Sequence, residues 1–327
     1  DPALIDNAEM ISGLLCPCPD SMSEEDKYWP RAAGAILTGC MVYLCLSPKH
    51  RCTLPALHDL VRRTKAEWAD LATDMGVVDT RRLKTYAKKI LEPLGAEKQW
   101  AGIMGQIDTA TAIYGPSKAL GGHVARDEFD PALLKQEALT VYLVIPSNRR
   151  DANKQWLALV MSLCAEAVGR PGKSRPVLLL AEEFANLGLM PSITRAMAEY
   201  REAGLKVWLI VQNMHQLRRI YGREGAEEIV NLCRIRQYFS IDEVELAKDI
   251  EAHLGTVTKE STSYGHELSF SQVGVPLKRV QDILRMRLNE QIILSTGPVP
   301  PIKAKLRPYY QSRRMRSLAD PNPYREA

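Results

Sequence analysis

Aromatic residues are scarce in this 327-residue chain: Phe, Trp and Tyr together make up 6% of it. Too few rings are present for base stacking to be the main way of holding a single-stranded nucleic acid, so any polyanion would be tracked by cations. Charge of one sign is also in short supply. The 43 Lys and Arg residues nearly balance 39 Asp and Glu, leaving a net charge of +4. That total does not announce a nucleic-acid partner, and a spread of solvated charges accounts for it. The seven cysteines are odd in number and irregular in spacing, and Cys16 and Cys18 form C-P-C-P rather than C-x-x-C. No paired metal-ligand spacing exists, which argues against a zinc site. Cys40, Cys45, Cys164 and Cys233 lie in apolar stretches, where a free cysteine acts as a small hydrophobe. Such usage suits a reducing cytoplasm. The start, Asp1-Pro2-Ala3-Leu4, has no basic leader region, so no signal peptide is expected. The uncharged run from Ala32 to Ser47 (AAGAILTGCMVYLCLS) ends at Pro48 and Lys49. It falls short of the roughly 20 residues of a membrane helix. It predicts a buried helix packed on a sheet, with any membrane anchor outside this chain.

What is present is ordinary for a folded soluble protein: 46% hydrophobic and 25% charged residues. The length suggests two domains and suffices to bury a sizeable core. From about Thr53 the pattern is helical. Thr53 can cap a helix whose apolar face runs through Leu57, Leu60 and Val61 and continues through Trp68, Leu71 and Met75, with Gly76 breaking it. A second helix fits Thr80 to Leu91 before Pro93, and a third fits Glu97 to Ala112. Arg62, Arg63, Lys65, Arg81, Arg82, Lys84, Lys88 and Lys89 crowd this stretch. It predicts a small all-α subdomain over residues 49–115.

After Pro116 apolar strands alternate with helices. Thr140 to Ile145 (TVYLVI), Pro176 to Ala181 (PVLLLA), Lys206 to Val211 (KVWLIV), Arg236 to Ser240 and Gln291 to Ser295 predict strands. Lys154–Val168, Pro191–Ala203, Met214–Tyr221 and Val244–Leu254 predict helices between them. Fully apolar strands separated by helices imply an α/β fold with a parallel sheet covered on both faces. Its ligand site lies beyond the carboxyl ends of the strands. The Ser-, Thr- and Gly-rich Thr256–Gln272 segment reads as a long loop, and the basic tail from Tyr309 as poorly packed.

The strand Leu178-Leu179-Leu180-Ala181 runs into Glu182 and Glu183. An apolar strand ending in two acids is the Walker B pattern: the first acid holds the shell of a magnesium ion, the second polarises the attacking water. Two solvent-exposed acids after a buried strand would look the same. The next strand ends in Gln212-Asn213, where an amide can sense a γ-phosphate or simply cap a helix. Arg201, at the end of the intervening helix, can serve a neighbouring subunit as an arginine finger or lie on the surface. A phosphate cradle is harder to find. Ala167 to Ser174 (AVGRPGKS) ends in G-K-S but lacks the first glycine, and it follows a helix and precedes a strand. A P-loop needs the reverse order, so that loop amides and a helix N-terminus meet the phosphates. Either the cradle lies upstream of Asp1 or this protein hydrolyses nothing, and in both cases this chain alone is expected not to hydrolyse ATP.

Arg175 to Gly188 (RPVLLLAEEFANLG), followed by Pro191, resembles the signature of type IV coupling proteins, the conjugative DNA-transfer ATPases of type IV secretion systems. Other stretches agree in order: Tyr28-Trp29, Thr140–Pro146, Tyr200-Arg201 through Gln212 to Tyr221-Gly222, and Asn289 through Pro301–Lys305 to Tyr309-Tyr310. The resemblance covers nearly the whole chain and is weakest in the helical part. It implies a RecA-like P-loop NTPase core with an inserted all-α subdomain. The core would begin in residues 1–48, downstream of the P-loop, and resume over 116–308, with a basic tail at 309–327. It further implies an inner-membrane-anchored homo-hexamer that hydrolyses ATP with Mg. Such a motor brings relaxase-bound DNA or effector proteins to the secretion channel, with the helical part facing cargo. By position, Glu182 becomes the magnesium-linked acid, Glu183 the catalytic glutamate, Gln212 the sensor and Arg201 the finger. The family usually has aspartate where Glu182 stands. Two rival readings are a recruitment platform whose motor is dispensable and a related DNA translocase. The E-F-A-N-L-G stretch and the P-P-I-K-A-K ending argue against the latter.

Overall fold

The computed structural model describes residues 3–19, 22–126, 128–172, 175–264 and 268–320. The chain divides into two compact units, Asp1–Val211 and Gln212–Ala327.

The first unit opens with helices α1 (Leu4–Leu15) and α2 (Glu24–Leu46). Ser23 starts α2 by accepting a hydrogen bond from the Asp26 amide, and Glu24, Glu25 and Asp26 place negative charge at the positive end of the helix. Among the described residues α2 is the one helix long and apolar enough to cross a membrane, yet 67% of its most apolar window is buried within the fold. The Ala32–Ser47 run is thus a core helix, as its composition predicts, but its neighbours are α1 and further helices rather than a sheet. Gly39 lets one of those neighbours approach closely, since a Cβ there would stand 2.5 Å from Tyr86 Cβ. Between α1 and α2 the buried Ser12 and Thr38 hydroxyls satisfy each other at 2.8 Å.

Helices α3 (Leu54–Leu60), α4 (Lys65–Val78), α5 (Thr80–Leu94) and α6 (Glu97–Thr111) follow, with no strand among them. The single helix expected from Thr53 to Gly76 is two. Thr53 caps α3, but Thr64 and Glu67 form a reciprocal capping box that starts a new helix at Lys65. Arg62 fastens the turn between them, donating to the His58 carbonyl at 2.8 Å, to Thr111 Oγ1 at 3.1 Å and to Asp108 Oδ1 at 2.6 Å. Gly76 does not end α4. Asp79, which caps α5 by accepting from the Arg81 and Arg82 amides, sets that boundary. Trp68, Leu71, Met75, Leu83, Ile90, Ile103 and Ile107 form one core with Ile36, Leu37 and Cys40 of α2.

Cysteine usage differs from expectation in one place. Cys45 is exposed and forms a disulfide with Cys52, whose Cα lies 5.0 Å away, because the turn after α2 folds Cys52 back on the helix end. Cys40 fits the apolar-filler reading, and Cys16, which that reading does not include, behaves alike: both are buried thiols pushed up to about 12 by desolvation.

Short helices α7 (Ala119–His123) and α8 (Leu133–Gln136) lead to the long α9 (Arg150–Gly169), then β1 (Val177–Ala181), α10 (Pro191–Glu199) and β2 (Leu205–Leu209). Strands β1 and β2 pair in parallel, Val177 opposite Leu205 and Ala181 opposite Leu209. The strand expected at Thr140–Ile145 does not form. A strand requires a hydrogen-bonded neighbour, and none pairs with this segment among the described residues, where Tyr142 and Val144 are each 81% exposed.

The second unit contains α11 (Met214–Leu232), β3 (Ile235–Tyr238), α12 (Val244–Leu254), β4 (Thr256–Tyr264), β5 (Leu268–Pro276), α13 (Val280–Leu284), β6 (Glu290–Ser295), β7 (Ile302–Lys305) and α14 (Arg313–Arg316). The helix expected to stop at Tyr221 kinks at Gly222, which has φ +73°, and then continues. Strands β3, β6 and β7 form an antiparallel sheet in the order β3-β6-β7, so the expectation that they extend a parallel sheet is corrected. Ala247, Ile250, Ile283, Ile292 and Leu294 form this unit's core. Of the segment read as a loop, Thr256–Gln272, the described residues lie in the antiparallel strands β4 and β5, and residues 265–267 lie outside the described residues. Its Thr, Val and Tyr residues favour extended backbone more strongly than its Ser and Gly content suggested. The described part of the basic tail, through Asp320, is largely exposed.

Candidate active site

Strand β1 delivers the two acids. It ends at Ala181, and the backbone then turns sharply at Glu182 and Glu183. Glu183 adopts the left-handed conformation, φ 51° and ψ 45°, one of two non-glycine residues with positive φ among those described. A glutamate there is held against its own preference, and such strain concentrates at functional positions. Three contacts hold it. The Ile210 amide donates to the Ala181 carbonyl at 3.0 Å, the Phe184 amide donates to the Ile210 carbonyl at 2.9 Å, and the Asn186 amide donates to the Glu183 carbonyl at 2.8 Å. Phe184, fully buried, pins the turn from below. The apolar letters of the E-F-A-N-L-G stretch are thus the mould in which the second acid is set.

The two carboxylates have different surroundings. Glu182 is exposed and has no hydrogen-bond or ion-pair partner among the described residues. Glu183 is half-exposed; its Oε2 accepts from Arg150 Nη1 and, at 2.9 Å, from Asn186 Nδ2. A free carboxylate at the carboxyl end of a strand suits Mg2+, which takes one or two carboxylates and fills its remaining positions with water and phosphate oxygens. No cluster of three or more His, Cys, Asp or Glu side chains able to cage a metal occurs among the described residues. The residues present therefore fit a magnesium ion shared with a nucleotide better than a protein-caged one.

Arg201 lies in the turn after α10, exposed, just before β2 begins. Because β1 and β2 run parallel, this is the opposite end of the strand pair from Glu182 and Glu183. Five residues at about 3.3 Å each separate the two ends by roughly 15 Å. The fold does not bring Arg201 to the acids of its own chain. Its turn is anchored by Tyr200, whose hydroxyl donates to Glu166 Oε2 at 2.7 Å and whose ring packs where a Cβ on Gly169 would stand. Burial raises the Tyr200 phenol above its usual range, and the bond to Glu166 raises it further. Arg195 also pairs with Glu166, so α9, α10 and the Arg201 turn form one braced corner.

Gln212 opens the second unit, three residues after β2 ends, and its Oε1 accepts from Gln216 Nε2 at 3.4 Å. Asn213 caps α11, accepting from the Gln216 amide at 2.9 Å, so of this amide pair Asn213 is committed to the helix. Helix α9 runs to Gly169 and β1 starts at Val177, so the G-K-S segment follows a helix and precedes a strand, the reverse of the order a P-loop needs. Lys173 and Ser174 themselves lie outside the described residues. Sequence reading missed Arg150 altogether; the only signal was its place just after the apolar Thr140–Ile145 run.

The family described as "Type IV secretory system Conjugative DNA transfer" matches residues 9–324. The chain belongs to this family. Among relatives of this family member, the type IV secretion system-coupling protein VirD4 of Bartonella quintana is 30% identical, over 95% of this chain and 51% of the relative. Protein VirD4 of Agrobacterium fabrum is 26% identical over 59% of this chain and 31% of the relative. The chain spans about half or less of the length of the curated relatives it matches. Its fold matches the bacterial conjugative coupling protein TrwBdeltaN70 with a TM-score of 0.71 at 15% identity, covering 93% of this chain and 68% of that one. This places the family member among RecA-like folds carrying an all-α part. TrwB has been solved with a non-hydrolysable ATP analogue and with ADP and Mg2+.

Proposed function

We propose that this chain is the Walker B and cargo-facing part of an ATP-driven coupling motor for type IV secretion or conjugation. The observation that carries the reading is the pair of adjacent acids at the carboxyl end of β1, with Glu183 in a strained left-handed turn. Family membership and the nucleotide-bound structures of TrwB support it. In this reading Glu182 holds magnesium, partly through water, and magnesium-ATP supplies the phosphoanhydride bond and the neutralised phosphate charge. Glutamate in place of aspartate keeps the charge and reaches one methylene further. Glu183 orients the attacking water and takes its proton, and Gln212 senses the nucleotide state.

Arg201 acts in trans. Its position at the far end of the strand pair from its own acids is what a finger serving the next subunit of a homo-hexamer needs. The helices of residues 49–115 face the cargo, DNA or effector protein, near the mouth of the secretion channel. Residues 1–48 and 116–308 belong to the nucleotide-binding domain and 309–327 to the tail. The whole assembly sits at the cytoplasmic face of the inner membrane. The test is ATP hydrolysis by the full-length protein. Glu183→Gln should lower kcat at least 100-fold, the scale of losing a positioned base, while nucleotide binding persists. Hydrolysis at the wild-type rate in that variant would refute the assignment.

A further inference from the structure

Arg150 is the first residue of α9, and its guanidinium reaches the acid of the Walker B turn. Glu183 Oε2 has two lone pairs and accepts from two donors, Arg150 Nη1 and Asn186 Nδ2. That oxygen is therefore filled and cannot at the same time take a proton from water. The backbone beneath Glu183 is fixed on both sides by the Phe184 and Asn186 amides, so only the side chain can turn. These two donors hold its carboxylate where it points.

The pair is poorly suited to a stabilising role. The Arg150 and Glu183 side chains are 34% and 39% exposed. Partly exposed ion pairs contribute little to stability, whereas buried pairs are costly to break. An interaction of this size can be exchanged for another within a catalytic cycle. Arginine is also the side chain whose planar fork matches phosphate oxygens as well as carboxylates, so a polyphosphate competes for the same donors.

We propose that Arg150 is a positioning residue that latches Glu183 in a resting orientation and releases it when an anionic group engages the guanidinium. The proposal rests on the assignment of Glu183 as the hydrolytic glutamate. Its consequence is that removing the latch frees the acid without cargo or neighbour to trigger it. Asn186 is the weaker, uncharged half of the same latch.

The experiment measures ATP hydrolysis by the full-length protein without cargo, for wild type, R150Q, R150K, N186A, E183Q and the double variant R150Q/E183Q. R150Q should raise kcat at least three-fold with KM for ATP changed less than two-fold, and R150K should return kcat to within two-fold of wild type. N186A should raise kcat by a smaller factor, and it reads the same oxygen should R150Q fail to fold. R150Q/E183Q should be as inactive as E183Q, which ties the gain to the acid. A fall or no change of kcat in both R150Q and N186A, with E183Q inactive, overturns the latch and leaves the glutamate assignment standing. An E183Q variant that hydrolyses at the wild-type rate overturns both.

Discussion

Gly39 sits where α2 crosses α5, and it offers a sharp test of the helical packing. A Cβ added at Gly39 would stand 2.5 Å from Tyr86 Cβ, 3.1 Å from its Cγ and 3.5 Å from its Cδ1. Carbon atoms pack best at about 3.5–4.0 Å, so the shortfall at the first contact is roughly 1–1.5 Å. Tyr86 Cβ is bonded to the α5 backbone and cannot swing aside by rotating a side chain. The two helices would have to separate by about that distance, loosening the packing of Leu37, Cys40, Leu83 and Ile90 around the crossing. Overpacking of this kind costs about 1–3 kcal/mol, and opening well-packed neighbours places this site at the upper end. Against it stands the helical preference of alanine over glycine, about 1 kcal/mol. The net expectation for Gly39→Ala is destabilisation by about 2 kcal/mol. Gly105, in α6, is the control: a Cβ there meets nothing within 4 Å, so Gly105→Ala keeps the propensity gain and should stabilise by up to about 1 kcal/mol. Urea unfolding followed by far-UV circular dichroism, with the slope unchanged, measures both. The reasoning fails if Gly39→Ala is as stable as wild type, or if the two glycines respond with the same sign.

Three further outcomes follow from the same helical part. Burial, then the bond donated to Glu9 Oε1 at 3.0 Å, pushes the Tyr86 phenol up to about 12. A raised phenol favours the protonated folded form, so its stabilisation is complete below pH 10 and is lost as pH rises through about 12. Tyr86→Phe should flatten the loss of stability over that window in an alkaline titration. The Cys45–Cys52 disulfide closes a loop with a sequence separation of seven. Chain entropy puts its stabilisation at roughly 2–3 kcal/mol, so reductant, or Cys52→Ser, should lower the urea midpoint, and non-reducing peptide mapping should recover the bridged pair. Thr64→Ala removes one half of the capping box that separates α3 from α4, and should cost about 1 kcal/mol in the same unfolding assay.

The readings that failed share a physical origin with those that held. Helix α12 was legible to the residue because its apolar positions repeat at helical spacing and Gly255, at φ +75°, stops it. Strand β1 was legible because five consecutive apolar residues run into two acids, a pattern that depends on nothing remote. The Thr140–Ile145 run is likewise apolar and richer still in β-branched residues, yet it is not a strand, because strand formation depends on a partner's amides as well as on its own side chains. The β4–β5 hairpin erred the other way. Its Ser-, Thr- and Gly-rich sequence lacks a sustained apolar alternation, so the period that marks a half-buried strand is missing, while the antiparallel register from Thr256–Pro276 to Tyr264–Leu268 defines it. Gly76 misled because a glycine's cost of about 1 kcal/mol is small beside the caps at Thr64 and Asp79 that set the real boundaries.

The candidate site divides along the same line. Glu182 and Glu183 announce themselves by adjacency to a strand, so their place needed only local sequence. Arg150 meets Glu183 from 33 residues upstream, and Tyr200 meets Glu166 from 34 residues away, through helices whose crossing no local pattern records. This is why the sequence could name the acids but not what holds them. It also bears on mechanism. The Glu183 backbone is already fixed by hydrogen bonds of its turn, so a residue that reaches its side chain, as Arg150 does, bears on where the carboxylate points rather than on where the residue stands.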